Sequence, residues 1–233
     1  MSVPEGDIAV PTMVRTLAGF DDIEPVWWNE LGGLTFRLGS TRYVKWTPAG
    51  TPIDLAEEGR RLSWVIQYSP VPKVLGIGSD DEGSWLVTEA LPWENAVAER
   101  WMQDPATAVR AAATGLRAFH DAVPVAQCPF DWSVATRIGD RQLSPESPPI
   151  DRLVVCHGDA CMPNTLIADD GCWAAHVDMG TMGVADRWAD LAPAIWSIAY
   201  NYGESYSEAY LEAYGVDVDR ERLDYYLWLW EST

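Results

Sequence analysis

The sequence lacks several features that define whole classes of protein. Only four of its 233 residues are cysteines, at Cys128, Cys156, Cys161 and Cys172. A disulfide framework is not expected, because a cytoplasmic chain of this length keeps its thiols reduced. No apolar run approaches the roughly 18 residues of a transmembrane helix, so no membrane partner is expected. The beginning of the chain, MSVPEGDIAVPT, lacks the basic and then apolar pattern of a signal peptide. We therefore expect a cytoplasmic protein.

Basic residues are also scarce. The chain has 16 Lys and Arg against 35 Asp and Glu, which gives a formal charge of −19. A nucleic-acid partner is disfavoured, since no basic cluster is available to contact a phosphate backbone. The same charge would favour steering a polycationic small molecule into a binding site. A solvated acidic surface that serves solubility is an equally good explanation of the charge.

Apolar residues are plentiful by contrast. Hydrophobic residues make up 48% of the chain and include 13 Trp. The chain can therefore bury a substantial core, and disorder is not expected. Its length suits one compact unit or two small lobes.

The most informative stretch contains two apolar runs that each end in polar residues. The first run leads into His157-Gly158-Asp159, and Asn164 follows five positions later; the second ends in Asp178. Phosphoryl transfer needs one carboxylate to orient the attacking hydroxyl, and oxygen ligands to hold Mg²⁺ against the nucleotide phosphates. We therefore predict that Asp159 is the catalytic base or hydroxyl-positioning group, and that Asn164 and Asp178 are magnesium ligands. An isolated HGD sequence would instead favour a turn or helix-capping role for Asp159.

Two cysteines near this stretch raise the alternative of a zinc site. Cys156 and Cys161 flank the HGD sequence and lie close to His157. Their spacing fits neither a CxxC nor a CxxxxH pattern well. Buried, unreactive thiols are the favoured interpretation.

Three segments resemble the aminoglycoside phosphotransferases, a branch of the protein-kinase-like superfamily. They are CHGDACMPN, VDMGTMGVADRWADLA and the closing YYLWLWEST. The HGDxxxxN pattern is specific for the superfamily, which also includes choline-type, macrolide and fructosamine kinases. The ADRWADLA segment is closer to the aminoglycoside group and to its streptomycin-type and kanamycin-type enzymes. The resemblance implies a two-lobed, protein-kinase-like α+β fold. Residues 1–91 would form a small β-rich N-lobe that covers the nucleotide, and residues 92–233 a mainly helical C-lobe with the catalytic and substrate-binding residues.

The residue pattern predicts elements that match this fold. Trp27–Thr47 is β-rich, with a hairpin turn at Gly39-Ser40. Pro52–Tyr68 has the apolar spacing of a helix, and Val71–Leu75 and Ser84–Thr88 read as strands. After Glu94 the pattern is mainly helical, and helices are predicted within 107–123, 186–203 and 204–230. The Pro-rich segment at 139–150 is shorter than the helical segment that the resemblance implies at this place.

The nucleotide-binding residues are predicted mainly from the N-terminal part. Lys45 lies in a strand-like run, where it would pair with nucleotide phosphates and with Glu58 of the following helix. The alternative is a solvent-facing lysine beside surface glutamates. Gly33 lies where a phosphate-covering loop would be, although no GxGxxG pattern is present. Backbone groups of Glu89 and Leu91 would hold the base of ATP, or of GTP.

The acceptor side has fewer signals. Besides Asp159, the predicted substrate-binding residues are Asn201 and Glu231, and the resemblance aligns Glu231 with a carboxylate that binds substrate amines. Glu231 is otherwise an exposed terminal residue. Tyr200-Asn201 stands where several relatives have two acidic residues, and Thr181 replaces a common arginine. Trp27, Trp28 and Trp196 either line a pocket or serve packing.

Three further polar residues are predicted to serve structure. His120 lies late in a helix, where a charged ring would favour the helix dipole. Asp186 and Asp190 both lie in ADRWAD, and one of them would cap or brace the HGD loop while Arg187 pairs nearby.

Together these observations predict an ATP- and Mg²⁺-dependent phosphotransferase that acts on a hydroxyl of a small molecule. An aminoglycoside antibiotic is the leading acceptor, and the chain is expected to be a monomer or a weak dimer. Two alternatives remain open. The first is a kinase for another small metabolite, such as a sugar or an amino alcohol. The second is a non-catalytic, kinase-like nucleotide-binding protein.

Overall fold

The computed structural model describes residues 8–29, 31–139 and 146–233. The chain divides into two compact units. The first comprises the chain up to Ile66 together with Pro72–Pro92, and the second comprises Gln67–Val71 and Trp93–Thr233. Residues 1–7, where the sequence shows no signal-peptide pattern, and residues 140–145 of the Pro-rich segment lie outside the described residues.

The first unit is an antiparallel sheet with two helices. Its elements are α1 (Thr12–Ala18), β1 (Ile23–Trp28), β2 (Leu34–Leu38), β3 (Arg42–Pro48), α2 (Leu55–Val65), β4 (Val74–Ser79) and β5 (Gly83–Glu89). The strand order is β1-β2-β3-β5-β4. Phe36, Leu38 and Val44 are fully buried, together with Val14 of α1. Alternate residues of β2 and β3 therefore supply the apolar core of this unit.

Two predictions for this unit have different outcomes. The hairpin at Gly39-Ser40 is confirmed, since β2 and β3 pair from Leu38↔Arg42 onward. The strand predicted at 71–75 instead runs over Val74–Ser79. The reason is tertiary: β4 pairs along β5 as far as Ser79. Cross-strand packing here outweighs the low strand propensity of the glycines in VLGIGS.

The second unit contains two small sheets and most of the helices. Its elements are β6 (Glu94–Asn95), α3 (Glu99–Met102), α4 (Pro105–Ala122), α5 (Val134–Ile138), β7 (Leu153–Cys156), β8 (Thr165–Ile167), β9 (Trp173–His176), β10 (Gly183–Asp186), α6 (Trp188–Tyr202), α7 (Ser207–Tyr214) and α8 (Arg220–Ser232), with 3-10 turns at Val125–Gln127, Met162–Asn164 and Glu204–Tyr206. β7 pairs with β10, and β8 lies between β6 and β9.

The helices of this unit surround one apolar core. α6 packs on α8, and α4 packs on α7. The stretch predicted as helical at 204–230 is divided, because α7 ends at Gly215 in the left-handed conformation and Asp219 caps the start of α8. In the described part of the chain, no helix is both long and apolar enough to cross a bilayer.

Segment 67–71 belongs to the second unit through contacts far along the chain. The His176 N–H donates to the Pro70 carbonyl at 3.1 Å. The Tyr68 hydroxyl donates to Gln127 Oε1 at 3.0 Å. The sequence predicts two continuous stretches of chain, and it contains no signal for such long-range contacts.

Candidate active site

Two loops in the second unit bring the predicted catalytic residues together. β7 leads into His157-Gly158-Asp159, and the 3-10 turn Met162–Asn164 returns the chain to β8. The second loop follows β9 and carries Asp178. The loops are joined by two hydrogen bonds: His157 Nε2 donates to the Val177 carbonyl at 2.9 Å, and the Val177 N–H donates to the Asn164 carbonyl at 3.0 Å.

His157 organises this arrangement rather than facing solvent. Its ring is fully buried. Its Nδ1 accepts the Asp159 N–H at 3.2 Å, so Nε2 carries the proton donated to Val177. Both ring nitrogens are therefore occupied by backbone groups, and the ring holds the loop.

Asp159 is a constrained carboxylate. Asn164 Nδ2 donates to Asp159 Oδ2 at 3.0 Å and to its carbonyl at 2.9 Å. Asp159 Oδ1 is buried and accepts no hydrogen bond from a nitrogen or oxygen donor of the described residues. Burial raises the pKa of Asp159, and the negative charge of Asp178 raises it further, which outweighs the hydrogen bonds from Cys161 and Asn164 that lower it. Asp159 as a residue is only partly buried, so a bound molecule can approach it while Asn164 holds the carboxylate in place.

Two residues of these loops have left-handed backbone conformations. Gly158 has φ +91°, and a Cβ at this position would lie 2.5 Å from the Thr181 carbonyl oxygen. Among the described residues, Asp178 is the single non-glycine residue with positive φ, at +62°. Aspartate tolerates this region better than most residues. Such conformations persist only where surrounding contacts hold them.

Asp190 braces the HGD loop from α6, as predicted for one of the two aspartates. Its Oδ2 accepts the His157 N–H at 2.6 Å, and its Oδ1 accepts the Gly158 N–H at 2.8 Å. His120 Nε2 of α4 donates to Oδ2 at 2.9 Å, and His120 Nδ1 contacts the Tyr214 hydroxyl of α7 at 2.7 Å. Burial raises the pKa of Asp190, but hydrogen bonds from His120 and Gly158 outweigh it and hold that pKa below its usual value.

Asp186 has a different structural role. It accepts the backbone N–H of Asp151 at 2.7 Å and that of Trp188 at 3.1 Å, so it caps the start of α6. Burial raises its pKa. Arg187 pairs with Asp151 at 2.6 Å, as predicted for a nearby ion pair.

The donor set fits a hard cation such as Mg²⁺. The Asp178 carboxylate lies close enough to Asp159 to raise the pKa of Asp159. A cation bound between the two carboxylates would relieve their mutual repulsion. Because the Asn164 amide nitrogen points to Asp159, its oxygen is the atom left to act as a ligand. Carboxylate and amide oxygens are the ligands that magnesium takes.

Zinc fits these residues poorly. The Cys156 thiol donates to the Asp186 carbonyl at 3.4 Å and the Cys161 thiol to the Pro193 carbonyl at 3.9 Å, so both thiols already contact backbone groups, and burial raises the pKa of both. His120, Cys156 and Asp190 do cluster, with ligand atoms within 4.8 Å of one another. In that cluster both ring nitrogens of His120 are already hydrogen-bonded.

The first unit holds the predicted nucleotide-binding residues. Lys45 Nζ of β3 lies 2.7 Å from Glu58 Oε1 of α2. The Glu58 side chain is only 6% exposed, so the alternative of a surface glutamate does not describe it. Gly33 lies in the β1–β2 turn, where its N–H donates to Asn29 Oδ1 at 2.7 Å. The Glu89 N–H donates to the Lys73 carbonyl at 2.9 Å.

The predicted acceptor-side residues lie on two packed helices, α6 and α8. Asn201 Nδ2 donates to the Ser197 carbonyl at 2.7 Å, and Glu231 is exposed in the last turn of α8. The sequence did not reveal Ser197, whose hydroxyl accepts the Met162 N–H at 3.0 Å and so fixes the catalytic loop on α6. Its only sequence signal is a small polar residue within an apolar helix.

Comparisons with known proteins agree with this geometry. The profile of the "Phosphotransferase enzyme family" matches residues 30–147 and 140–226. An aminoglycoside 3'-phosphotransferase from Streptomyces fradiae is 36% identical, and the match covers 77% of this chain and 80% of the relative. A streptomycin 3''-kinase from Streptomyces griseus is 31% identical, and the match covers 86% of this chain and 88% of the relative.

Solved structures show the same relationship. The aminoglycoside phosphotransferase APH(3'')-Id from Streptomyces rimosus, in complex with ADP and streptomycin, superposes with a TM-score of 0.73. It is 27% identical, and the match covers 94% of this chain and 95% of that one. The predicted α+β, protein-kinase-like fold is therefore confirmed, and the fold and loops define a phosphotransferase. The chain belongs to the Phosphotransferase enzyme family. It is an aminoglycoside O-phosphotransferase-like enzyme, which confirms the resemblance seen in the sequence.

Proposed function

We propose that the protein is an ATP- and Mg²⁺-dependent phosphotransferase that transfers the γ-phosphoryl group of ATP to a hydroxyl of an aminoglycoside. The observation that carries this proposal is the state of Asp159. Its carboxylate is partly buried and is held by a hydrogen bond from Asn164, and its pKa is raised by burial and by the nearby charge of Asp178. The similarity to aminoglycoside phosphotransferases from Streptomyces supports the choice of acceptor.

The reacting groups are assigned as follows. The Asp159 carboxylate would accept the hydrogen bond of the acceptor hydroxyl and orient its oxygen toward the phosphoryl group. Asn164 and Asp178 would hold Mg²⁺, which supplies positive charge next to the phosphate oxygens when it is bound. Because Asn164 also holds Asp159, it would couple the position of the carboxylate to that of the metal ligands.

The nucleotide contacts are assigned to the first unit. Lys45 would pair with phosphate oxygens, and the buried Glu58 fixes the direction of its ammonium group. The β1–β2 turn that contains Gly33 would cover the phosphates, although the N–H and carbonyl of Gly33 itself are both bonded to Asn29. Backbone groups of Glu89 and Leu91 would contact the base. These backbone contacts do not depend on the side chains, so GTP is the alternative nucleotide.

The acceptor is proposed to be polycationic. Asn201 and the exposed Glu231 would bind its hydroxyl and ammonium groups. The formal charge of −19 would steer such a molecule toward the protein. Phosphorylation would add negative charge to a drug that binds its own target through positive charge, and the expected biological outcome is antibiotic resistance.

The test is a coupled ADP-release assay with Mg-ATP and a panel of kanamycin, neomycin, streptomycin and simple sugars. Asp159→Ala should lower kcat at least about 100-fold while nucleotide affinity stays close to that of the wild type. Asp224→Ala is the matched control, because it removes an exposed aspartate of the same unit. Turnover of sugars alone would contradict the proposed acceptor, and near-wild-type turnover by Asp159→Ala would remove Asp159 from its assigned role.

A further inference from the structure

Three aromatic rings form a contiguous surface on α6 and α8 that packing does not explain. Trp196 and Tyr200 lie one turn apart on α6, with ring centroids 5.6 Å apart and ring planes 9° apart. Trp230 of α8 approaches Trp196 at 5.2 Å. Trp196 is 39% exposed and Tyr200 is 78% exposed. Because one face of Tyr200 is stacked on Trp196, this exposure belongs to its opposite face and its edge. We call these three residues the aromatic platform.

The platform lies beside the HGD loop. Besides the two hydrogen bonds to Asp190, the loop has two further contacts with α6: the Met162 N–H donates to Ser197 Oγ at 3.0 Å, and Cys161 Sγ lies 3.9 Å from the Pro193 carbonyl. Trp196 is the neighbour of Ser197 on the helix, and Tyr200 is one turn of about 5.4 Å further along. The exposed rings therefore lie on the same helix as the buried Ser197 that holds the loop.

The chemistry of the platform favours a cation. The faces of Trp and Tyr rings carry a negative quadrupole, which attracts ammonium and guanidinium groups. Glu231 directly follows Trp230 and is exposed, so the edge of the platform also has a carboxylate. A purely apolar partner would gain nothing from this charge, or from the formal charge of −19 of the whole chain.

We propose that the aromatic platform binds a cationic ring of the acceptor through cation–π contacts, and so selects amine-bearing or guanidine-bearing sugars over neutral ones. This inference rests on the proposed function, because it concerns how the same site holds its acceptor molecule. Tyr200 is the residue most open to the ligand, whereas Trp196 and Trp230 support it from the helix surfaces.

The test is calorimetric binding of kanamycin and of streptomycin, without nucleotide, to the wild type, Tyr200→Phe and Tyr200→Leu. Tyr200→Phe keeps the ring, and Tyr200→Leu keeps apolar bulk but removes the π face. Tyr200→Leu should weaken binding roughly 3- to 30-fold, the range of exposed to desolvated cation–π contacts, and Tyr200→Phe should stay within about twofold of the wild type. Phe20→Leu is the control, because it removes a fully exposed ring of the first unit.

Four outcomes would overturn the platform. If Tyr200→Leu binds kanamycin and streptomycin as tightly as the wild type does, the platform does not bind the acceptor. The proposed function would still stand if that variant continues to release ADP. An equal loss of affinity for a neutral sugar would show that cation recognition is not its role. A change in oligomeric state of Tyr200→Leu by light scattering would show that a second copy of the chain covers the rings. If the wild type neither binds nor phosphorylates any aminoglycoside, the platform and the proposed function both fail. Because Tyr200 is exposed, its variants should keep the wild-type Tm, which separates loss of binding from loss of folding.

Discussion

At the scale of single residues, the geometry of the HGD loop depends on conformations that its sequence only suggests. The spacing of Asp159, Asn164 and Asp178 was sufficient to predict that they lie together. The left-handed backbone of Asp178 was not predictable, because only the contacts around the loop select it. The glycine before Asp159 is easier to explain, since only glycine both adopts φ +91° and leaves room for the Thr181 carbonyl.

Gly158→Ala is therefore expected to damage the loop in two ways. The left-handed conformation alone costs about 1 kcal/mol for alanine. The new Cβ would also lie 2.5 Å from the Thr181 carbonyl oxygen, so the backbone must shift. We expect a total loss of roughly 2–4 kcal/mol in the free energy of unfolding and a large drop in kcat, measured by urea unfolding and by ADP release.

Gly50→Ala is the matched control for this change. Gly50 has φ +83°, and a Cβ there meets nothing within 4 Å. It should show the conformational cost without the clash and should keep wild-type kcat. Equal effects of the two substitutions on stability and kcat would contradict the importance of the Gly158 contact.

At the scale of elements, the loop is held by side chains from three helices. Asp190 of α6 accepts a hydrogen bond from His120 of α4, and the other ring nitrogen of His120 contacts the hydroxyl of Tyr214 of α7. The sequence predicted that an aspartate of ADRWAD braces the loop, and that α4 is a helix. It did not predict the partners of His120, which lie 70 and 94 positions further along the chain. Local periodicity contains no information about such contacts.

Asp190 should make stability depend on acid pH in a defined direction. Its folded pKa lies below the unfolded value of 3.8, so the unfolded chain takes up the proton first as the pH falls. Its contribution to stability is therefore present above 3.8 and is lost as the pH falls through the folded pKa. Asp190→Asn would turn an amide NH₂ toward a backbone N–H, and should cost roughly 3–5 kcal/mol at pH 7. The remaining stability should fall less steeply in acid.

The matched comparison is Asp186→Asn, because burial raises the pKa of Asp186. The folded state holds that proton more tightly, so its contribution to stability falls as the pH rises above 3.8 and through the folded pKa. In Asp186→Asn, the free energy of unfolding should therefore fall more steeply as the pH is lowered, which is the opposite of the effect of Asp190→Asn. Urea unfolding over a pH series measures both slopes, and slopes that change in the same direction would contradict the two assignments.

At the scale of the whole molecule, charge is the property most directly read from the sequence. A formal charge of −19 predicts long-range attraction of a cationic acceptor. Salt screens such attraction, with a Debye length of about 10 Å at 0.1 M. The division into two units is harder to predict from the sequence, because segment 67–71 joins the second unit through long-range hydrogen bonds.

The KM for a cationic acceptor should therefore rise several-fold between about 0.05 and 0.5 M salt. The KM for the anionic nucleotide should not rise in parallel, because the net charge of the protein repels it at low salt. Steady-state assays in which each substrate is varied at fixed salt make this comparison. An acceptor KM that does not change with salt would show that the acidic surface serves solubility alone.

The central claim is that Asp159 directs transfer of one phosphoryl group to an aminoglycoside hydroxyl. The most direct measurement is mass spectrometry of kanamycin and streptomycin after incubation with Mg-ATP and the protein. We predict that one of these drugs gains the mass of a single phosphoryl group with the wild type and with Asp224→Ala, and that the product is absent with Asp159→Ala. Unmodified drugs with the wild type, or equal product from Asp159→Ala, would contradict the account.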